Sequence, residues 1–414
     1  MHPDKHVCFV GGGTMGCFNA LLAASGGYQC VIHDVSQETL DRVPENLTDM
    51  SERFTRSGLL KSPTTASAAD RISTTTDLEE AVDGAWLVSE SVFESLDLKR
   101  QVFAQLDALC PSEVLLTTNS SVLPVSEIAD SVQYKQRFSA LHSHLGSSLF
   151  DILGTSQTSS DTTSVLRDYV LSLGGVPLIL KKENPGYVFN AMFGPILTRA
   201  LLLVIDGLAT IHETDRAWMN RTSSPLGPFG LMDLFGLNLI YDSWYHRPER
   251  PEETERRLKI RAFLSPLVGR GQLGVKTGKG FYEYPNPAYA EEGFMHDLPA
   301  TNWADFYLTS AWLQNAVMLA INGIADVRDI DRAWLAATGQ SLGPFGMIDD
   351  LGLERTLILF GTTGPLTRPE CPERLAEFLM TQLSVGKVGI SGGHGFYDYP
   401  NPAYQDPGFV RGSV

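Results

Sequence analysis

With 414 residues, a formal charge of −16 and 43% hydrophobic residues, the chain is acidic and of ordinary globular composition. That charge argues against nucleic acid and anionic membrane surfaces as partners, although a local basic pocket for a phosphorylated ligand stays compatible with it. No apolar run approaches the length of a membrane span and the opening MHPDKH is not a secretory signal, so the expected compartment is the cytoplasm. At roughly 100 to 200 residues per domain the length predicts about two to four domains, with three as the working number. Five cysteines, Cys8, Cys17, Cys30, Cys110 and Cys371, are scattered without metal-ligand spacing; they read as reduced thiols, and no metal site is expected.

The first predicted element is VCFVGGGTMG at 7–16, a short apolar run followed by glycines at the spacing G-x-G-x-x-G. It reads as strand, tight turn, helix. Val7, Phe9 and Val10 suit a buried parallel strand, Gly11 allows the turn, Gly13 lets a pyrophosphate approach the backbone, and Gly16 lets the helix pack closely on the sheet. The phosphates would sit on the free N–H groups of a helix opening at Thr14 and Met15. A second apolar run, 30–35, contains Asp34 at the distance where an acid can hold the ribose hydroxyls of an adenosine. Such an acid repels a 2′-phosphate and residues 35–41 hold no arginine to neutralise one, so NAD is expected over NADP.

Residues 37–60 read as one polar helix ending at Arg56-Ser57-Gly58, with the loose SPTTASAAD at 62–70 making a protrusion. Strand-like runs at 86–88, 114–117 and 138–141 alternate with helical segments such as 98–109, a pattern that specifies a doubly wound parallel sheet. The last predicted strand is 176–180, and 181–185 leads out of the first domain.

Beyond Pro185 the pattern turns helical and repeats. DRAW at 215–218 returns at 331–334, GPFG at 227–230 returns at 343–346, and GFYEYPNPAY at 280–289 returns as GFYDYPNPAY at 395–404. Each copy opens with a long apolar helix, 187–206 and 303–322, closed by Gly207 and Gly323 as C-terminal caps. The fold class is therefore α/β followed by all-α: a Rossmann-like domain at 1–184, then two homologous helical domains at 185–295 and 296–414, with the copy boundary near 291–301. Two such copies can pack as the subunits of a dimer would, an internal pseudo-dimer that leaves the chain a monomer or a homodimer.

Thr118-Asn119-Ser120-Ser121 and Leu141-His142-Ser143-His144 each follow a predicted strand, at the sheet edge where ligands of such folds collect. Helix capping would account equally for Ser120 and Ser121, and a satisfied core position for His142.

At these positions the chain resembles the L-3-hydroxyacyl-CoA dehydrogenases. The resemblance covers nearly the whole chain and rests on GGGTMG, SESVFESLDLKRQVFAQLD at 89–107, TTNSSVLPVSEIA at 117–129, the pair Leu141-His142, NPGYVFN at 184–190, SPLGPFGLMDLFGL at 224–237 and KTGKGFYEYP at 276–285. It implies an NAD-dependent oxidoreductase that interconverts a 3-hydroxyacyl group, carried as a CoA thioester, and its 3-keto form. His142 matches the family's catalytic histidine, Ser121 the serine that hydrogen-bonds the substrate oxygen, and Asn190 the asparagine that completes the site. Glu90, Lys99 and Asn119 match family positions near the cofactor and join Gly11, Gly13, Thr14, Met15, Gly16 and Asp34 in the expected NAD site. The implied partner is a small-molecule substrate, an acyl-CoA, and Arg53, Arg56 and Lys61 could meet its phosphates.

Two departures stand out. Where the family has His-Phe-Phe-Asn-Pro or a similar run, this chain has His142-Ser143-His144-Leu145-Gly146, so a leucine replaces the asparagine that would face the nicotinamide. The family glutamate that orients the histidine lies twelve residues on, at Gly154 here. Asp151 is the candidate substitute, yet positions 151 and 154 of one strand face opposite sides, so Asp151 is expected to serve only through a bulge or a shifted register. The alternatives are a dehydrogenase of a non-CoA hydroxy acid or specialised intermediate, and an NAD-binding relative with lost or weak catalysis. In the second copy Phe306 replaces Asn190 and 391–394 lose the lysines of 276–279, so one active site per chain is expected.

Overall fold

Strands form where the sequence carries short β-branched or aromatic runs between helical segments: His6–Val10 (β1), Cys30–His33 (β2), Ile72–Thr75 (β3), Ala85–Glu90 (β4), Leu115–Thr118 (β5), Phe138–Ser143 (β6), Leu149–Gly154 (β7) and Val176–Ile179 (β8). The computed structural model describes residues 6–60, 68–245, 251–296, 303–363 and 371–412. The strands make one sheet in the order β3-β2-β1-β4-β5-β6-β7-β8, parallel throughout except for the antiparallel pair β6/β7. Such a sheet is covered on both faces, which is why β1, β4 and β6 are almost wholly buried rather than alternating. Phe18 of the helix Thr14–Ser25 meets Phe54 of the helix Val43–Arg56 edge-on at 5.1 Å, and Tyr28, Trp86 and Tyr169 cluster beside the same core. A buried aromatic of this kind contributes about 1.5–3 kcal/mol by burial.

Two sequence expectations change here. The polar helix expected over 37–60 is two helices, Gln37–Asp41 and Val43–Arg56, because Pro44 has no N–H to continue the first but suits the opening turn of the second. The edge strand β3 was not among the predicted ones; it is mostly polar, ISTT, and carries no apolar signature. Lys61, most of the 62–70 protrusion and residues 297–302 at the expected copy boundary lie outside the described residues.

By compactness the chain divides into two units: Met1–Phe189 with Gly323–Gly339 and Tyr404–Val414, and Asn190–Asn322 with Gln340–Ala403. The first unit thus takes one helix from the second copy. Val327–Thr338 lies on β7 and β8, with Ser147 Oγ donating to Ala336 O at 3.1 Å and Arg332 Nη2 to Pro177 O at 3.4 Å. Within the second unit, Ile211–Thr222 of the first copy packs on Trp303–Ile321 of the second, where Trp218 meets Trp312 at 5.7 Å and Arg221 forks onto Asp305.

The repeated GFY(E/D)YP motif has a structural reason. Asp233 accepts the N–H groups of Phe281 and Tyr282 at 2.9 Å each and the Tyr284 hydroxyl at 3.1 Å. Asp349 does the same in the second copy with Phe396, Tyr397 and Tyr399 at 2.8, 2.9 and 3.0 Å. Buried carboxylates with donors of this kind fix a turn without a regular element.

Candidate active site

The glycine turn after β1 is built for close approach. Gly11 has φ of 110°, and a Cβ there would lie 2.7 Å from Ser91 O; a Cβ on Gly16 would lie 1.8 Å from Gly11 O. Only glycine fits either position. A Cβ on Gly13 would meet nothing within 4 Å, so the third glycine borders open space, and the helix Thr14–Ser25 begins there with no side chain capping its first N–H groups. Uncapped N–H groups of Thr14, Met15 and Gly16 beside open space form an anion site of the kind a pyrophosphate takes. Asp34 stands at the end of β2 and is pinned by the N–H of Gly12 at 2.8 Å and of Ser36 at 2.9 Å, which holds its carboxylate at the edge of this turn.

At the ends of β4 and β5 sits a buried ionic network. Lys99, 1% exposed, donates to Glu90 Oε1 at 2.6 Å, to Val92 O at 3.3 Å and lies 3.3 Å from Glu94 Oε2. Glu90, 0% exposed, also accepts from the Thr118 hydroxyl and the N–H of Val92, each at 2.7 Å. Burial pushes the Glu90 carboxyl above the usual range while the ammonium pulls the other way. Lys99 thus has three protein oxygens within 3.3 Å, and with Glu90 it ties the ends of β4 and β5 at the sheet edge where the sequence expects the cofactor. Glu94 extends the network and holds the chain after β5, accepting Ser120 Oγ at 2.6 Å and the N–H groups of Ser121 and Val122 at 3.0 and 3.2 Å. Asn119 Oδ1 accepts the Ser143 N–H at 2.8 Å, tying β5 to β6 and leaving its amide N–H groups as the part available to a cofactor.

The third cluster lies on β6 and β7. In the antiparallel register His142 faces Asp151 directly and Ser139 faces Gly154. Directly opposed residues share one face of a sheet, and His144, two residues on, shares it too. His142 Nδ1 lies 3.0 Å from Asp151 Oδ2, and His144 Nε2 lies 2.8 Å from the same oxygen. Asp151 is therefore in place with neither bulge nor slip, contrary to the sequence expectation. Its cause is a turn: Ser147 N–H donates to His144 O at 3.0 Å and Gly146 takes φ of 78°, closing residues 144–147 tightly enough that the orienting carboxylate falls nine residues after the histidine instead of twelve.

Electrostatics and packing define the state of this cluster. Burial and the neighbouring His144 hold the His142 imidazole below its ordinary range, while hydrogen bonds from both histidines keep the Asp151 carboxyl low against the opposing effect of burial. The resting form is thus neutral imidazole beside carboxylate. An ionised Asp151 can only accept, so His142 carries its proton on Nδ1 and leaves Nε2 as the unprotonated nitrogen. Tyr187 stacks on the His142 ring at 4.8 Å, its hydroxyl donating to Ser120 O at 2.8 Å, and Gly186 N–H donates to Ser121 O at 3.0 Å. Tyr187 adopts φ of 50°, uncommon for a bulky residue, and the stacking and hydrogen bond hold it there.

His142 and Ser121 are thereby drawn to one edge of the first unit through Tyr187 and Gly186. Asn190 opens the second unit on the first turn of the helix Phe189–Ile205, and Arg53 and Arg56 are exposed on the helix Val43–Arg56. His144, Glu94 and Tyr187 were not among the expected site residues. The signal for His144 was its i, i+2 spacing from His142; for Asp151 it was the Leu-Gly turn dipeptide. His142, His144 and Asp151 are also donor types suited to a transition metal. Both nitrogens, however, point at one carboxylate oxygen at hydrogen-bond distance, which is the geometry of a proton-holding triad.

Comparison with known proteins identifies the family. The family model described as 3-hydroxyacyl-CoA dehydrogenase, NAD binding domain matches residues 6–183, and the corresponding C-terminal domain model matches twice, at 186–284 and 308–399. A probable 3-hydroxyacyl-CoA dehydrogenase of Caenorhabditis elegans is 30% identical over 69% of this chain and 97% of its own length; the mitochondrial hydroxyacyl-coenzyme A dehydrogenase of Rattus norvegicus is 30% identical over 68% and 91%. A solved diketoreductase is 30% identical, covering 69% of this chain and all of its own at a TM-score of 0.61. The 3-hydroxybutyryl-CoA dehydrogenase of Escherichia coli, 21% identical, shares the fold over 91% of this chain and 99% of its own at a TM-score of 0.72. The cofactor of the matched domain is NAD, and the open glycine turn and uncapped helix start fit it. The chain belongs to the 3-hydroxyacyl-CoA dehydrogenase family.

Proposed function

We propose that this chain interconverts a 3-hydroxyacyl thioester of coenzyme A and its 3-keto form, with His142 as the proton-transferring group. The observation that carries the reading is the buried His142–Asp151 pair, which fixes the tautomer with Nε2 free. In the oxidation direction Nε2 takes the hydroxyl proton, and Asp151 stabilises the imidazolium that results. NAD, when bound, supplies the hydride acceptor. Ser121, held by Glu94 and Gly186, is the residue we assign to the substrate oxygen; Asn190 is assigned to the substrate on the family resemblance alone, and Arg53 and Arg56 are assigned to CoA phosphates. Gly11, Gly13, Gly16 and Asp34 seat the dinucleotide, with NAD preferred over NADP. The second helical copy, with Phe306 where the first has Asn190, serves as packing partner, giving one site per chain; a cytoplasmic location belongs to the same reading.

A second reading is reduction of a free dicarbonyl or hydroxy acid. The shortened turn supports it, because Leu145, 41% exposed, stands where the family resemblance places an asparagine, and the solved diketoreductase relative is described as acting on dicarbonyl compounds. A substrate panel read by NADH absorbance decides between them. Turnover of acetoacetyl-CoA well above that of free diketo esters supports the first reading, the reverse order supports the second, and NADH binding without turnover of either class overturns both.

A further inference from the structure

The cluster contains one group that the proposed reaction does not use. His144 is 7% exposed, its Nε2 lies 2.8 Å from the Asp151 oxygen that also takes the His142 proton, and its ring meets that of His142 at 4.4 Å and 79°. Phe189 touches its edge at 5.4 Å. A phenylalanine, which the family run places two residues after its histidine, would fill the same space without a donor. A histidine here adds one thing: a second N–H on an oxygen that would otherwise serve His142 alone.

We propose that His144 is a positioning residue that clamps Asp151 Oδ2 and divides its negative charge between two imidazoles, so that His142 becomes a free base at a lower pH than a dedicated carboxylate would allow. The inference rests on the reading of His142 as the base. Its physical ground is that a carboxylate oxygen already holding one N–H is a weaker acceptor for a second, and that imidazolium on one ring is disfavoured by the other in contact with it. The Asp151 Oδ1 atom is buried and has no hydrogen-bond partner, so the charge is not relieved elsewhere among the described residues and both donors converge on Oδ2. The groups facing His142 are Asp151 from β7, His144 just past the end of β6, the Tyr187 ring, and Glu94 acting at longer range from the end of the Glu90–Lys99 network. Asp151 and Glu94 favour imidazolium; burial and His144 oppose it.

The test follows the His142 ring signal by NMR in the full chain from about pH 4.5 to about pH 8.5, a range spanning ordinary histidine titration. The signal is assigned by its loss in His142→Ala. His144→Phe should raise the His142 midpoint by on the order of one unit, and His144→Gln, which keeps a donor near the Nε2 position but no ionisable ring, should fall between it and the parent. The acid limb of kcat/KM for oxidation of 3-hydroxybutyryl-CoA should move in step. An unchanged midpoint in His144→Phe, to within about 0.2 unit, overturns the proposal, as does a fall in kcat with the midpoint and acid limb fixed, since that is what loss of packing alone produces. Because the ring signal needs no turnover, absence of activity on CoA substrates would count against the proposed reaction while leaving this result readable.

Discussion

Two buried charged clusters occupy the carboxyl edge of one sheet, and they differ in how completely their atoms are matched. Around Lys99, the ammonium donates to Glu90 and Val92 and lies beside Glu94, and Glu90 takes donors from Thr118, Val92 and Lys99 itself. Around Asp151, two imidazoles share one oxygen while the other oxygen has no partner among the described residues. The first arrangement holds strand ends together with its charges answered by protein groups. The second is built to change protonation state, because one imidazole nitrogen is held and the opposite one is not. Chemical composition alone, two acids and a lysine against two histidines and an acid, does not separate a staple from a site. The count of unmatched donors and acceptors does.

The contrast can be broken most decisively at the histidine. His142→Ala is expected to lower turnover by about 10²–10⁴, the usual range for a general acid–base group, with NADH affinity by fluorescence unchanged. Asp151→Asn should cost a comparable factor, since it removes the charge that stabilises imidazolium and can favour the wrong tautomer. Parent-like kinetics in Asp151→Asn would show that the cluster is as inert as its neighbour.

Lys99→Met probes the other side. It leaves Glu90 buried and unpaired, and destabilisation of about 3–5 kcal/mol is expected by urea unfolding. Loss of the ammonium raises the Glu90 carboxyl further above its unfolded value. The folded variant then binds more protons than the unfolded chain, so its deficit should shrink as pH is lowered from neutrality toward the ordinary carboxylate range. A deficit independent of pH would mean Glu90 is not the group left exposed to the penalty.

The resting His142 midpoint sharpens the comparison further. Burial and His144 place it below the ordinary imidazole value of about 6.5, so the rate of hydroxyl oxidation should hold to lower pH than that before falling. Asp151→Asn, which removes a neighbour that favours imidazolium, should move the limb lower still. A limb above the ordinary value in the parent would contradict the burial and contact assigned to the ring.

The smallest effect is expected at Gly154. Sequence comparison alone makes Gly154→Glu a restoration of the family carboxylate. In the structure Gly154 faces Ser139, and a Cβ there would lie 2.8 Å from Thr158 Cβ. The variant should gain no activity and lose about 1–3 kcal/mol by overpacking. A rate increase would return the orienting role to position 154.

Much of this was legible in the chain itself. The glycine spacing and the buried run before it set the first βαβ unit, and the three repeated motifs established the duplication, because local turn chemistry and apolar periodicity are written in consecutive residues. His142 and Ser121 could be named from their places after predicted strands together with the family motifs. What the sequence could not supply was pairing across strands. Whether Asp151 or position 154 meets His142 depends on how many residues the turn at 144–147 consumes, and a difference of three moves the carboxylate onto the other face. Burial was equally out of reach: Glu90 and Lys99 read as charged residues near a cofactor, and only the enclosed volume between β4, β5 and the helix Leu96–Leu109 shows that each charge is answered by the other. The helix Val327–Thr338 makes the same point at larger scale. Its sequence assigns it to the second copy, but it lies on β7 and β8 because that face of the sheet needs an apolar cover and chain order places no demand on which copy provides it.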